Sequence, residues 1–425
     1  MINDVRSNRR TFLKTTAGLA GGALLPSILP AGSSVGSSHA PSGPPVDADV
    51  VPISREERMA RIERARELMS ERNLDAIYLE SGSSMFYYTG TRWGNSERMF
   101  ALIIPAKGEM AWVCPAFEEE RAREVITFGD DIRVWEEDES PYRRVAQILD
   151  DRGVRTRKIG IEERVRFFLF DGLRSVMPGH EFLNATPVTA GCRVIKSPAE
   201  LALMQKANDI TIAAYKDSFP QLKEGMTQYE FGSVISGSFR RAGASGGAMV
   251  IFGESTAFPH GSRKPQRARE GDMVLVDGGC SVEGYSSDIT RTFIFGSPSQ
   301  RQRDIWELER KAQDAAIAAV TPGVACETID EVARKVITDA GFGPGYKVPG
   351  LPHRTGHGIG LDGHEWEYLV KGNKTPLRPG MCFSDEPTIS IYGEFGIRLE
   401  DCFYVTEDGG KFFTEQSPAI DQPFG

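Results

Sequence analysis

The segment Val276-Asp-Gly-Gly-Cys-Ser-Val-Glu-Gly-Tyr-Ser-Ser-Asp288 places two acids, Asp277 and Asp288, in a strand-loop-strand pattern. Such a pattern normally carries apolar side chains into a core. A buried carboxylate without a cation costs several kcal/mol, or its pKa rises until the group is neutral. The segment therefore predicts that a cationic group lies between the two acids.

Three later segments add one imidazole and two carboxylates in similarly apolar settings: HRTGHGIGLDGHE from His353, SDEPTIS and GIRLED. The candidate ligands are Asp277, Asp288, His357, Glu386 and Glu400. A carboxylate-rich set with a single His favours a pair of Mn, Fe, Co or Zn ions over a lone structural zinc, which would recruit Cys. Each acid alone can be a turn or surface residue, as Asp277 before two glycines can open a turn. The joint spacing of all five favours a two-metal hydrolytic centre.

These motifs resemble those of the pita-bread metallopeptidases, the family of prolidase, aminopeptidase P and methionine aminopeptidase, with creatinase as a metal-free relative. The resemblance covers roughly residues 50 to 425. In that family the metal ligands follow the order Asp, Asp, His, Glu, Glu, with the two Asp eleven positions apart, and this chain matches each position. The resemblance implies an α/β N-terminal domain of the creatinase type followed by an α+β pita-bread catalytic domain.

The resemblance also implies roles for residues around the ligands. His260 matches a family His beside the substrate, His353 one that lines a proline pocket, and His364 one that contacts the reacting carbonyl. Glu386 matches the ligand that doubles as a proton shuttle. Arg398 matches an Arg that holds the ligand shell or the substrate, and an ion pair with a metal-bound acid is its alternative role. Each His taken alone is more often structural, but the three together in these motifs favour functional roles.

Three residues depart from the family pattern near the expected substrate rim. Thr388 replaces a usual Gly, Tyr392 lies near a position often occupied by Pro, and Arg354 replaces a small residue. These departures bear on the substrate and not on the metal ligands. Arg354 can bind a substrate carboxylate or pair with a surface acid, and the second interpretation is preferred.

The length allows two domains, and the composition is ordinary for a soluble globular enzyme. The chain has 425 residues, 40% hydrophobic and 26% charged. A net charge of −9 argues against a nucleic-acid partner, because such proteins concentrate Lys and Arg on one face. Six Cys occur singly, without a C-x-x-C pair, which indicates buried free thiols.

The first 45 residues are predicted to be a signal peptide and spacer. Asn8-Arg-Arg-Thr-Phe-Leu-Lys14 resembles the twin-arginine export motif, and a disordered basic leader is the alternative. The apolar stretch that follows, from Ala17 to Ala31, is short and interrupted by Pro26 and Pro30. Cleavage after residue 31 or 40 is expected to leave no stable membrane span and a periplasmic or otherwise extracytoplasmic enzyme.

The remainder is predicted to divide into a creatinase-type domain, residues 46–192, and a catalytic domain, residues 193–425. The first domain should open with a helix over 54–73 that starts on a capping box of Ser54 and Glu57. A second box, Ser197 with Glu200, should start the catalytic domain, with Pro198 at the first helical position.

Apolar patterning predicts the other elements. In the first domain we expect strands at Asp75–Leu79, Phe100–Pro105, Met110–Cys114, Ile132–Trp135 and Ile159–Ile161, with helices near 117–125 and 141–152. In the second we expect helices near 198–217, 227–242, 300–320 and 326–341, and strands at Val274–Asp277, Asp288–Phe295, Cys382–Glu386 and Ile397–Val405.

The resulting hypothesis is an exported hydrolase with two divalent ions, Mn preferred, that cleaves Xaa-Pro peptide bonds as prolidase or aminopeptidase P does. Its partner is a proline-containing peptide, and the resemblance implies a homodimer. Two alternatives stay open: creatinase-like or lyase chemistry on a small zwitterion, and a binding protein without turnover.

Overall fold

The computed structural model describes residues 50–154 and 157–424, all within one compact unit. The predicted signal peptide and spacer, residues 1–45, lie outside the described residues. Among the helices that are described, none combines the length and the apolar character that a membrane crossing needs.

The first part of the described chain is a six-stranded mixed sheet covered by helices on both faces. The sheet has the order β4-β3-β2-β1-β5-β6, in which β2 is antiparallel to both neighbours and the other pairs are parallel. Its central strands are buried on both faces, as their unbroken apolar runs predict. The strands are β1 (Ala76–Glu80), β2 (Ala101–Pro105), β3 (Ala111–Pro115), β4 (Ile132–Trp135), β5 (Lys158–Ile161) and β6 (Glu181–Asn184). The helices are α1 (Arg55–Glu71), α2 (Ser83–Thr89), α3 (Glu119–Val125), α4 (Pro141–Asp151), α5 (Phe167–Val176) and α6 (Thr186–Arg193).

The predicted capping box at the start of α1 is only half present. Ser54 Oγ accepts a hydrogen bond from the Glu57 backbone N–H at 3.1 Å. The Glu57 carboxylate does not return to the cap and instead accepts from Arg61 at 2.7 Å and from Ser197 Oγ at 2.8 Å. A buried guanidinium offers this carboxylate a charged partner, which outcompetes a backbone amide.

The second part contains three sheets with helices on their outer faces, an α+β arrangement. The sheets have the orders β10-β8-β7 with β9 paired to β8, β12-β11-β13-β16-β17, and β14-β15. The helices are α7 (Pro198–Ser218), α8 (Gln228–Arg241), α9 (Gln300–Ala319) and α10 (Cys326–Asp339). The strands are β7 (Gly246–Phe252), β8 (Met273–Val282), β9 (Tyr285–Ser286), β10 (Ile289–Ile294), β11 (Gly356–Gly358), β12 (Glu365–Leu369), β13 (Cys382–Asp385), β14 (Thr388–Ile391), β15 (Phe395–Arg398), β16 (Asp401–Val405) and β17 (Gly410–Phe412).

The four helices of this part begin and end close to the predicted residues. The second capping box is complete: Ser197 Oγ accepts from Glu200 N, the Glu200 carboxylate accepts from Ser197 N, and Pro198 opens the helix. All of these interactions lie within four residues, which is why the local sequence predicts them.

The predicted single strand from Ile397 to Val405 is wrong. The chain leaves one sheet at Arg398, where β15 pairs with β14, and joins another at Asp401, where β16 pairs with β13. Glu400 lies between the two strands and donates its backbone N–H to Thr290 O at 3.1 Å. The apolar alternation continues through the switch, so the pattern alone does not reveal the change of partner.

A buried polar cluster joins α1 to α7 and to the hairpin between β8 and β9. Arg61 Nη2 lies 3.3 Å from Glu200 Oε1 and 3.2 Å from Tyr285 OH. Tyr285 OH in turn donates to Glu200 Oε1 at 2.7 Å. The hairpin that separates the two motif aspartates is therefore anchored to helix α1 and to the first turn of α7.

Candidate metal centre

Asp277 and Asp288 are carried by neighbouring antiparallel strands. Asp277 lies within β8, opposite Thr290 of β10, and Asp288 comes immediately before β10. The two glycines after Asp277 continue the strand and do not form a turn. A Cβ at Gly278 would lie 2.2 Å from Gly247 O, so the glycine is needed for the close approach of neighbouring backbone.

His357 presents one ring nitrogen to the acids. Its Nδ1 lies 3.0 Å from Gly358 O, and because a carbonyl only accepts, Nδ1 carries the hydrogen. Nε2 is then free as a ligand atom, 3.4 Å from Glu386 Oε1 and 3.9 Å from Asp288 Oδ2. Burial lowers the pKa of His357 to about 4, so the ring is neutral at pH 7, as metal ligation requires.

Glu386 and Glu400 follow strand ends rather than lying inside strands. Glu386 comes directly after β13 and donates its backbone N–H to Thr355 O at 2.8 Å. Glu400 is buried, and its Oε2 accepts from Thr290 Oγ1 at 2.6 Å. Its second oxygen, Oε1, has no hydrogen-bond partner among the described residues.

The five predicted ligands converge. Within each of three groups, ligand atoms lie within 4.8 Å of one another: Asp288 with His357 and His364, His357 with Glu386 and Glu400, and Asp277 with Asp288 and Glu400. Burial, then Asp277 and Glu386, raise the pKa of Asp288 well above its ordinary value. Burial, then Asp288 and Glu386, do the same for Glu400.

These residues fit a divalent metal pair. So many carboxylates this close together repel one another unless cations lie between them. The unpartnered Oε1 of Glu400 and the free Nε2 of His357 are ligand atoms that protein groups leave available. Oxygen-rich coordination with one imidazole suits Mn, Fe, Co or Zn.

Arg398 holds the first acid of the motif. Its Nη2 lies 2.5 Å from Asp277 Oδ2, its Nε donates to Thr290 Oγ1 at 3.1 Å, and its Nη1 donates to Pro259 O at 3.0 Å. Burial by itself would lower the pKa of Arg398, but the surrounding carboxylates, Asp277 first, raise it. Of the two roles considered for this residue, the ion pair with a candidate metal-bound acid is present, and substrate contact stays a prediction.

The three non-ligand histidines line the same cavity of about 450 Å³ as the acids. His353 lies between Thr388 Oγ1, 3.0 Å from Nε2, and Arg354 O, 2.7 Å from Nδ1. His364 stacks on His357 with ring centroids 3.7 Å apart, and His260 is exposed at the edge of the cavity. The structure thus brings every predicted site residue together, and their individual roles remain predictions.

The three departures from the family pattern take distinct positions. Thr388 holds His353, as described above, and the exposed Tyr392 stacks on Phe258 with centroids 5.2 Å apart. The preferred interpretation of Arg354, a pair with a surface acid, is wrong within residues 50–154 and 157–424: the guanidinium lies over the Tyr368 ring, 4.2 Å from its centroid. Arg354 also lines the metal cavity.

Two hydroxyl residues that support the ligands were not predicted. The hydroxyl of Thr290 accepts a hydrogen bond from Arg398 and donates one to Glu400, and so links these two residues. Ser384 Oγ accepts from His357 N at 3.1 Å and donates to Glu386 Oε1 at 3.4 Å. Each lies two residues from a ligand, and that spacing is the only signal of either in the sequence.

Comparison with known proteins agrees with this geometry. Residues 202–407 match the model of Metallopeptidase family M24, and residues 61–195 match the Creatinase/Prolidase N-terminal domain. The Xaa-Pro dipeptidase of Lactobacillus helveticus is 34% identical over 359 residues, which cover 83% of this chain and 96% of the relative. The chain belongs to metallopeptidase family M24. The M24 family and both predicted domain folds are thereby confirmed.

Solved structures of similar proteins share the described fold. Dipeptidase PepE from Mycobacterium ulcerans aligns with a TM-score of 0.79 at 31% identity, covering 87% of this chain and 99% of that one. The X-Pro aminopeptidase of Thermotoga maritima aligns with a TM-score of 0.73 at 26% identity, and the alignment covers 85% of this chain and 99% of that one. Proteins similar to this one therefore carry the names of both dipeptidases and aminopeptidases.

Proposed function

We propose that this M24 protein hydrolyses the peptide bond that precedes proline. The observation that carries the proposal is the convergence of five ligand side chains and three histidines on one cavity of about 450 Å³. The proposed metal ligands are Asp277, Asp288, His357, Glu386 and Glu400. The names of the similar proteins, an Xaa-Pro dipeptidase and an X-Pro aminopeptidase, support proline specificity.

The protein groups around the centre have separable tasks. When bound, two divalent ions, Mn in our proposal, supply a water of lowered pKa and a Lewis-acid contact for the carbonyl. Glu386 accepts the proton released when water attacks and returns it to the leaving nitrogen. Ser384, hydrogen-bonded to both His357 and Glu386, keeps that carboxylate in one orientation. His364, a neutral ring at pH 7, donates a hydrogen bond to the developing oxyanion.

Proline recognition is assigned to His353 and His260. An Xaa-Pro bond has no amide N–H, so a site for it must recognise the ring and not a backbone donor. Both nitrogens of His353 are engaged, by Thr388 and by a backbone carbonyl, and its ring is therefore held in one orientation. A fixed, flat ring at the cavity wall is a suitable surface for the pyrrolidine.

Purified protein reconstituted with Mn or Co and incubated with Ala-Pro, and with Ala-Ala as a control, tests the proposal. We expect release of alanine and proline from the first and little reaction with the second. Creatine and a sulfoniopropionate are the test substrates for the alternative chemistry on small zwitterions. Turnover of either of these without any cleavage of Xaa-Pro peptides would contradict the peptidase assignment, and no turnover of anything would favour a binding protein.

We further propose export by the twin-arginine route. The support is Arg9-Arg10 in the leader sequence, which lies outside the described residues. This route carries folded proteins. A metal centre assembled before export therefore keeps the ions that it bound in the cytoplasm. Replacing both arginines with Lys should retain the protein in the cytoplasm on cell fractionation, and unchanged export would exclude the route.

We also propose that the enzyme is a homodimer, on the resemblance to its family. Light scattering of the purified full chain measures this directly, and the mass of a single chain, 46.7 kDa with its leader, would contradict it.

A further inference from the structure

The orientation of His364 depends on the turn that carries it, residues 359–364, between β11 and β12. Both ring nitrogens of His353 are engaged in hydrogen bonds, and so is Nδ1 of His357. The ring of His364 stacks on His357, but within the described ranges neither of its nitrogens has a hydrogen-bond partner. The restraints on the turn therefore decide where this ring lies.

The two ends of the turn are fixed by the second part of the chain. At one end, Gly360 O accepts a hydrogen bond from Ser286 N at 2.8 Å. At the other end, Glu365 is buried and pairs with Gly358 in the ladder of β11 and β12. These contacts set where the turn begins and ends, but they do not involve its middle.

Asp362, in the middle of the turn, has three partners from the first part of the chain. Its Oδ1 accepts from Ser83 Oγ at 2.6 Å and from Arg164 Nη1 at 2.8 Å, and its Oδ2 accepts from Arg193 Nη2 at 2.6 Å. These partners come from the start of α2, the segment after β5 and the end of α6. Three separate elements thus hold one carboxylate, and two of the three bonds join opposite charges.

The stretch from Asp362 to His364 has little packing of its own. Leu361, just before it, packs against the apolar cores of both parts of the chain. Gly363, within it, would have no atom within 4 Å of an added Cβ. The polar contacts of Asp362 are therefore the restraint that lies closest before His364 in the turn.

We propose that the first part of the chain positions His364 through Asp362. Asp362 does not line the metal cavity, so it acts on the reaction through the histidine two residues later. Its contacts keep the ring stacked on His357 and directed at the oxyanion that develops on the substrate. The inference rests on the proposed role of His364 in Xaa-Pro hydrolysis, and it gives the first part of the chain a task in the rate of that reaction.

Asp362→Asn on the metal-loaded enzyme tests the proposal, because it keeps the size of the side chain and removes its charge. We expect kcat for Ala-Pro to fall about tenfold, with KM within about twofold of wild type, since a displaced catalytic group is lost mainly from the transition state. Elemental analysis should find the metal content of the wild type. A merely structural role of Asp362 would not separate kcat from KM and metal content in this way.

Asp217→Asn is the matched control. Asp217 also accepts from a serine, Ser238 at 2.7 Å, and from an arginine, Arg241. It belongs to α7 and lines neither the metal cavity nor the turn that carries His364. This variant should keep the kcat and the KM of the wild type.

Ser83→Ala makes a smaller change on the other side of the contact. Ser83 is the first residue of α2, makes no capping bond and does not line the metal cavity, so alanine should preserve the fold. We expect kcat to fall about threefold, because one of the three partners of Asp362 is lost. Ser175→Ala removes an exposed hydroxyl that donates to Gly172 O, and it should leave kcat unchanged.

A double-mutant cycle separates positioning from general support of the fold. In a His364→Ala background, Asp362→Asn should change kcat by less than about twofold, because the ring that it positions is absent. Equal losses in both backgrounds would show that Asp362 acts independently of His364 and would overturn the inference.

Other results would also overturn it. Wild-type kcat for Ser83→Ala, with Asp362→Asn either at wild-type kcat or unfolded, would mean that the contact does not position the ring. Loss of a metal ion from Asp362→Asn would mean that the turn supports the ligand His357. Each of these outcomes leaves Ala-Pro cleavage by the wild type, and hence the proposed function, intact. Failure of the wild type to cleave Ala-Pro would remove the proposed function, and this inference with it.

Discussion

Arg398 Nη2 lies 2.5 Å from Oδ2 of Asp277, across 121 positions of sequence. The same arginine reaches Thr290, whose hydroxyl donates to Glu400. One cation therefore orients acids from two separate motifs. Groups behind metal ligands fix the direction of the ligand atoms, and their loss weakens the site without removing a ligand.

Replacing Arg398 with Lys should lower metal affinity or kcat/KM by about 10- to 100-fold, because an ammonium makes fewer directed hydrogen bonds than the guanidinium does. Metal titration followed by kinetics measures both quantities. Arg303→Lys is a control at an exposed ion pair with Asp421 and should change neither. Wild-type values for Arg398→Lys would mean that the ion pair does not orient Asp277.

Replacing Asp288 with Ala should abolish stoichiometric metal and turnover together, since this acid belongs to two of the three ligand groups. Elemental analysis of the reconstituted variant, beside the wild type, is the measurement. Two retained ions would show that Asp288 is not a ligand.

Replacing His364 with Ala should leave both ions bound and reduce kcat by about 100-fold or more, as loss of an oxyanion donor does. The metal content is the informative control, because His364 also lies within 4.8 Å of ligand atoms of Asp288 and His357. Loss of one ion would identify His364 as a ligand, and an unchanged rate would remove its proposed role.

Replacing Glu365 with Gln should destabilise the protein in a pH-dependent way. Burial by itself would raise the pKa of Glu365, but ion pairs with Lys196, at 3.0 Å, and Arg193 outweigh it and lower the pKa to about 2 from an ordinary 4.5. Because the folded-state pKa is the lower one, the stabilisation is complete above about pH 4.5 and is lost as the pH falls toward 2. The difference between the two pKa values corresponds to a contribution of about 3 kcal/mol to the free energy of unfolding at pH 7.

Urea denaturation across this pH range measures the effect of Glu365→Gln. The free energy of unfolding of the variant should differ most from that of the wild type at pH 7, and the difference should shrink as the pH falls. Glu63→Gln, at an exposed ion pair with Arg66, should differ little from wild type at any pH. A pH-independent difference would mean that Glu365 acts through packing.

Replacing Tyr285 with Phe should cost about 1–3 kcal/mol of unfolding free energy, because it leaves the buried Glu200 and Arg61 with one partner fewer. Chemical denaturation measures it. Tyr392→Phe changes an exposed ring and serves as the control. No difference between the two variants would show that the cluster does not anchor the hairpin.

Much of the site was predictable because its signals are local or carried by residue type. The capping box of Ser197 and Glu200 lies within four residues, and the helices of the catalytic part follow their apolar spacing. Four carboxylates and one imidazole in apolar segments indicated a metal centre before any geometry was known. The box at Ser54 failed because the Glu57 carboxylate accepts from Arg61 of its own helix and from Ser197 at the start of another helix, and the second of these partners is not visible in a local pattern.

The order and type of the ligand side chains, and the helices that frame them, were therefore set by the chain's local chemistry. Two features depended on the folded chain: the ion pair of Arg398 with Asp277 and the hydrogen bond of Thr290 to Glu400. Both join residues more than a hundred positions apart. Apolar periodicity shows which side of an element is buried, but it does not show which partner buries it.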